Sequence, residues 1–353
     1  MGPTGTTVSD DAVLSFCRGT TLECAFAVAS ATQGPAGDPV NTRTGGFDET
    51  LEDLSIATSA GALSFERSYS SLATERYTAL LGFGWTHNHD TRLIFPEDPG
   101  GKPGMVLFKA HTANQYEFVD NGDGTYTPAP GLLASLAVDP GPPVTYTLAD
   151  AGQATYVFDE GGRLLSWSDP QEHTWTYSYD GNGRLDRVTD DSGQRYLDFS
   201  YDGQGRIQTV ADHTGRDVTF GYDANGDLTT VTDVLDQTWT YVYDSAHRLR
   251  QILDPDSHQV VRTEYDAEGR AYQQYDGSDS LVLQVTYNGD GTTTVVDALS
   301  NELTHTYDSR NTLNAETNDL WDPTARTYDS KFRPATLTDE NGAITQLTWS
   351  EDG

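Results

Sequence analysis

The sequence predicts an all-β protein in which tandem hairpins stack into one curled sheet. The first observation is a recurring aromatic followed by Asp: Phe158-Asp159, Tyr179-Asp180, Tyr201-Asp202, Tyr222-Asp223, Tyr243-Asp244, Tyr265-Asp266, Tyr307-Asp308 and Tyr328-Asp329. Tyr287-Asn288 and Trp349-Ser350 fall in the same phase, and successive anchors lie 21, 22, 21, 21, 22, 22, 20, 21 and 21 residues apart. A fixed period of this size marks a repeat array. The second observation is strict alternation before the anchor. Trp175, Tyr177 and Tyr179 alternate with Thr176 and Ser178, and Trp239, Tyr241 and Tyr243 repeat the pattern, as a strand with one buried face requires. The third is turn chemistry after it: Asp180 to Gly183 and Asp202 to Gly205 carry Gly where a tight turn needs positive φ.

Each unit therefore reads as strand, turn, return strand and second turn. Arg stands five residues after the anchor at Arg184, Arg206, Arg248, Arg270 and Arg333, often followed by an aliphatic residue that opens the return strand. Asp lies eleven residues after it at Asp190, Asp212, Asp233, Asp254, Asp276 and Asp339, and starts the second turn. One hairpin is marginal in water, so the array is stable only as a whole. Nine intervals at two strands each give about 18 strands, more than a twisted open sheet tolerates before it curls. The repeated Arg is expected to pair with Asp of a neighbouring unit, a ladder that would fix register between hairpins. The repeated aromatics are expected to form a stacked core row.

The composition bounds the function. Lys and Arg number 21 against 54 Asp and Glu, a formal charge of −33. That excludes the clustered cations of a nucleic-acid-binding surface and disfavours docking on anionic lipid. No stretch has the length and apolarity of a membrane helix, so no membrane insertion is expected. The first residues lack the cationic and apolar segments of a secretion signal. Cys17 and Cys24, the two cysteines, lie seven apart, a spacing at which a small-loop disulfide and a pair of free thiols are both open.

The consensus Tyr-Asp-x-x-Gly-Arg-Leu-x-x-Val-Thr-Asp closely resembles the YD repeat of bacterial Rhs proteins, insecticidal toxin-complex shells and animal teneurins, over about residues 156–353. A second stretch supports the resemblance. Gly37 to Asn41, Thr44-Gly45, Phe65 to Ser71 and Leu81 to Asp90 look like the domain that precedes the repeats in many bacterial Rhs proteins. The resemblance implies a hollow β-shell wound from a spiral sheet, which relatives use to enclose a C-terminal toxin or as an extracellular adhesion scaffold. The family's self-cleaving core terminus, with its Asp residues, is not found here. The chain divides accordingly into an N-terminal extension (1–36), a leading β region (37–95), irregular hairpins (96–155) and the YD repeats (156–353).

Few residues suggest chemistry. His87 and His89 would share one face of a strand, as zinc ligands can, but no third ligand follows at a recognisable spacing, and a packed, hydrogen-bonded role is expected. Asp120 to Thr125 and Asn288 to Thr292 resemble the start of a calcium loop without its closing Glu; hairpin turns use the same residues. No catalytic set, cofactor site or metal site is expected, calcium at those turns being the alternative. The sequence thus points to a non-enzymatic structural scaffold, extracellular or on the cell surface, forming a shell or a head-to-tail fibre segment. The expected partners are other copies of itself or the rest of a longer chain. An array that stops just after a strand leaves an unpaired edge, which residues 1–36 of another copy could extend. The alternatives are the N-terminal part of a toxin-carrier shell and a carbohydrate-binding adhesin.

Overall fold

A computed structural model of the chain describes residues 35–36, 40–74, 77–78, 80–111, 114–129, 132–318, 324–330, 332–339 and 341–349. Cys17, Cys24 and nearly all of the N-terminal extension lie outside the described residues, as does Gly353. Every regular element among the described residues is a β-strand.

One sheet dominates. It contains 21 strands, from Ser135–Asp139 to Ile344–Gln346, in an order identical to the chain order. Two strands of the irregular region, Ser135–Asp139 and Thr145–Ala149, thus belong to the same sheet as the repeats. All neighbours along it are antiparallel, so the sheet is an uninterrupted meander written by its turns.

The turns follow one design. In the first unit Gly183 donates its N–H to the Asp180 carbonyl at 2.9 Å, and Asp180 donates to the Arg184 carbonyl at 2.8 Å. Gly183 sits at φ 78°, which a residue without Cβ adopts freely. The ladder then slips by one residue, with Tyr179 opposite Leu185 but Ser178 opposite Arg187. The same slip follows the anchors Tyr201, Tyr222, Tyr243, Tyr265, Tyr307 and Tyr328. The 22-residue intervals are absorbed elsewhere. In one of them the second turn is widened, Asp190 donating to the Arg195 carbonyl; in two others an extra slip falls at Ile252/Leu253 or at Gln274/Tyr275.

The buried rows run across the strands. Leu164, Leu185, Ile207, Leu228, Leu249 and Ala271 take the position after the repeated Arg, and all are buried. Val188, Val210, Val231 and Ile252 form a second row three residues on. Full burial of each such side chain contributes about 1.5–3 kcal/mol.

The leading region packs on this face. Its hairpin Asp48–Thr58/Gly61–Ser70 joins Trp85–His87 in a three-stranded sheet, and Arg92–Ile94, Met105–Lys109, Gln115–Asp120 and Tyr126–Pro128 form a four-stranded one. Phe108 contacts Phe158, Phe65 contacts Phe199 and Phe220, and Thr42 contacts His305. In a flat sheet the strands of Phe158 and His305 would stand roughly 65 Å apart at ~4.8 Å per strand. A unit of some 80 residues is only about 30 Å across. The sheet reaches both ends of the leading region because it curls around it.

Candidate functional site

The repeat turn forms a lattice that ties each unit to the next. Asp180 Oδ1 accepts the N–H groups of Asn182 and Arg184 at 2.8 and 2.9 Å, and Oδ2 takes the Arg184 guanidinium at 2.7 Å. These hold the Asp180 carboxyl down at about 2, through the Arg184 N–H first and its guanidinium second. Asp202, Asp244, Asp266 and Asp329 bind Arg206, Arg248, Arg270 and Arg333 in the same way. The Arg therefore pairs within its own turn, and not with Asp of a neighbouring unit as the sequence reading expected. Four residues across a tight turn place the guanidinium beside a carboxylate already fixed by backbone donors.

The link between units is made by the Tyr instead. Arg184 lies over Tyr201 at 4.4 Å, Arg206 over Tyr222 at 4.2 Å, Arg248 over Tyr265 at 4.8 Å, Arg270 over Tyr287 at 4.3 Å and Arg333 over Trp349 at 5.7 Å. Each Tyr hydroxyl also donates back to the carbonyl of the residue following the previous Arg position. Tyr179 reaches Leu164, Tyr201 reaches Leu185, Tyr222 reaches Ile207, Tyr243 reaches Leu228, Tyr265 reaches Leu249 and Tyr328 reaches Leu313, at 2.6–3.2 Å. Those carbonyls belong to the slipped position of the ladder, so the hydroxyl supplies a partner where the strand pairing shifts.

Three units break the pattern, and in that of Tyr287 the Asp and the Arg are replaced by Asn288 and Thr292. At the Arg position after Tyr222-Asp223 stands Asp227, which takes His247 Nδ1 at 2.9 Å. The His247 ring stacks on Phe83 at 3.8 Å, and Tyr243 accepts a hydrogen bond from Trp85 Nε1 at 2.8 Å. Tyr307-Asp308 follows the short 20-residue interval, and the Tyr307 hydroxyl meets Thr42 Oγ1. The units of Tyr222 and Tyr307 are places where the leading region docks. The missing Arg at position 227 was the sequence signal for the first of them.

The docking surface reuses the slipped position. Its N–H donates to the leading region at Ile207 (to the Leu80 carbonyl, 2.7 Å), Leu249 (to the Tyr69 hydroxyl, 2.7 Å) and Ala271 (to the Gly45 carbonyl, 2.8 Å). At its centre Arg67 is buried. It binds Asp53 at 2.7 Å and the Tyr241 hydroxyl at 2.6 Å, and its guanidinium lies 4.7 Å from the Trp85 ring and 4.9 Å from that of Tyr241. Burial works against its charge, but Asp53 and Tyr241 outweigh burial and hold Arg67 charged.

The paired histidines do not share a strand face. His87 closes the strand Trp85–His87, whereas His89 lies in the turn that follows. His89 Nε2 meets the Ser64 carbonyl at 2.7 Å, and its ring faces Tyr177. His87 packs between Phe65 and Phe199, and neither of its ring nitrogens has a hydrogen-bond partner among the described residues. Burial lowers His87 to about 3 and His89 to about 4, so both rings are neutral at physiological pH. Beside them burial would raise the Asp90 carboxyl, but Arg92, Lys109 and His87 hold it well below the usual range.

No group of three or more His, Cys, Asp or Glu side chains is disposed to hold a metal among the described residues. At the Asp-rich turn Asp120 Oδ1 accepts the Gly122 N–H and Asp123 Oδ1 accepts both the N–H and the hydroxyl of Thr125. Asp290 treats Thr292 likewise. These carboxylates serve as turn acceptors.

The family described as a domain of unknown function (DUF6531) matches residues 37–118, and the family described as Teneurin YD-shell matches residues 144–319. The chain belongs to the Rhs/YD-repeat family. No curated protein matches it. Among solved structures it is similar to the Tc holotoxin pore of Photorhabdus luminescens, at 14% identity over 67% of this chain and 16% of that one, with a TM-score of 0.32. It is also similar to the TcdB2-TccC3 complex, at 15% identity over 87% of this chain and 24% of that one, with a TM-score of 0.26. The chain spans about a sixth to a quarter of the length of these toxin chains.

Proposed function

We propose that the chain is a structural wall segment of a YD-repeat shell. The observation that supports this most is the continuity of the 21-strand meander, whose units are locked to one another at most of the Tyr-Asp turns and which curls around the leading region. A sheet held this way is stiff along its length and presents two rims of turns, as a container wall requires. The role is one of enclosing or displaying polypeptide, without catalysis, at an extracellular or cell-surface location. Electron microscopy of the purified protein tests the reading. Curved, wall-like particles are expected, and straight fibres or featureless globules would sink it. Protease treatment of intact producing cells tests the location, since a surface protein is cleaved there and an internal one is spared.

A further inference from the structure

The slipped position of the repeat is also a ready hydrogen-bond donor, and one copy of it faces a cavity. At Ile207 and Ala271 this N–H donates to a carbonyl oxygen of the leading region, and at Leu249 to a hydroxyl oxygen. Leu185 occupies the equivalent position one unit before Ile207. It lines a cavity of about 590 Å³ between the leading region and the sheet. The same cavity is lined by Arg92, Arg163 and Arg184, with His89 and Tyr201 beside them, and by one carboxylate, Asp90, which pairs with Lys109. It sits beside the place where the leading region joins the wall, through Leu93 N–H to the Gly162 carbonyl and the bridge between Arg92 and Arg163.

Three guanidiniums around one cavity are unusual in a chain with 21 cations and 54 anions. Arg163 and Arg184 are each bound on one side by the Asp of their own turn, at 2.6 and 2.7 Å, and Arg92 lies 3.8 Å from Asp90. Their side chains remain 48, 31 and 49% exposed. Five N–H donors per guanidinium leave each with spare donors after such pairing. The spare donors call for oxygen acceptors, and because Arg92 and Lys109 share the single carboxylate of Asp90 the site holds one cation more than its carboxylates balance; a carboxylate brings both acceptors and negative charge.

We propose that this cavity binds a carboxylate, one oxygen taking the place that the Leu80 and Gly45 carbonyls take in the other units. The volume admits a ligand of dipeptide size. The carboxylate can come from a free small acid or from an acidic peptide side chain, and the recognition chemistry is the same.

Titration followed by amide NMR of the intact chain tests the site. The probes are N-acetylglutamate, the dipeptide Ala-Glu, and N-acetylglutaminamide, amidated at both carboxyl positions, as the uncharged control. A saturable shift of the Leu185 amide is expected with the acids, with the Ile207 amide, already bonded to Leu80, unmoved. N-acetylglutaminamide should bind at least tenfold more weakly. Arg163→Gln should weaken the acids at least tenfold, and Arg163→Lys should restore part of the affinity, which separates charge recognition from misfolding. Tighter binding of Ala-Glu assigns the site to peptides, and equal binding assigns it to small acids. The proposal is overturned by the absence of a saturable shift, by equal response to N-acetylglutaminamide, or by unchanged affinity in Arg163→Gln.

Discussion

The leading region and the repeat wall solve the problem of polar groups in opposite ways. The wall keeps its charges in turns, where each Asp is met by backbone donors and an Arg four residues away. The leading region buries its charges and meets them with residues far off in sequence, as Arg67 meets Tyr241. The wall's interactions are thus local and repeated, so loss of one is shared by its neighbours. Those of the leading region are single and deep, and each is needed for the sheet to close around it.

This contrast is broken most directly at Arg67. Arg67→Met strands the Asp53 carboxylate in the interior, and removing one partner of a buried pair typically costs about 3–5 kcal/mol. Denaturant melts of the variant should show that loss. The double variant Asp53→Leu/Arg67→Met should recover most of it, because an apolar pair leaves no unpaired charge. A loss below about 1 kcal/mol in the single variant would show that the leading region is not held where the contacts place it.

Acid separates the two regions next. His87 and His89 have folded values lowered to about 3 and about 4 from 6.5, so the unfolded chain binds protons first. Their stabilising contribution is complete above about 6.5 and is lost as pH falls towards 4. Asp180 and Asp212, lowered to about 2, contribute stability above about 4 that is lost only as pH falls towards 2. Asp48 runs the other way: burial raises it to about 6, so its contribution favours folding below about 4 and fades as pH rises through 6. Between pH 6.5 and 4 the histidines outweigh it, and stability should fall by roughly 2–4 kcal/mol per fully buried His. His87→Phe, which keeps a ring between Phe65 and Phe199, should flatten that part of the profile. An unchanged profile would refute the assignment.

The wall was legible in the sequence because its interactions are local. The period, the alternation around Tyr177 and Tyr179 and the Gly turns each follow from residues within one unit. The pairing of Arg184 was misread for the same reason that it was visible. A repeated Arg and a repeated Asp suggest a ladder between units, but the slip after Tyr179 turns the guanidinium onto its own Asp180 and over Tyr201. The leading region's site was not legible. Arg67, Tyr69 and Trp85 carry no periodic signal, and their partners Tyr241, Tyr243 and Leu249 look like any other anchor and core positions until the sheet curls.

Within the wall, the two rows of turns should differ by smaller amounts. Arg206 binds Asp202 and covers Tyr222 of the next unit, so Arg206→Ala removes an ion pair, a cation–π contact and the packing of its stem. About 1–2 kcal/mol is expected. His258, at a second turn, faces Asp254 at 3.5 Å with its side chain 75% exposed. His258→Ala should cost about 0–1 kcal/mol. Equal losses in thermal melts of the two variants would mean that the Arg–Tyr contacts do not couple the units.

The smallest effect concerns backbone conformation and changes sign between a free turn of the wall and a turn on which the leading region docks. Asp236, at an exposed second turn, and His247, at a first turn, both hold a φ near 60°. A left-handed conformation costs a residue with Cβ roughly 1–2 kcal/mol, and Gly adopts it freely. Asp236→Gly should therefore stabilise the chain by about 0.5–1 kcal/mol, since its N–H bond to the Asp233 carbonyl survives the change. His247→Gly gains the same backbone relief but loses the stack on Phe83 and the bond to Asp227. It should be destabilising by about 1 kcal/mol or more. If both substitutions stabilised the chain, His247 would be a turn residue like any other and the leading region would be anchored by its other contacts, those of Arg67, Tyr69 and Trp85 among them.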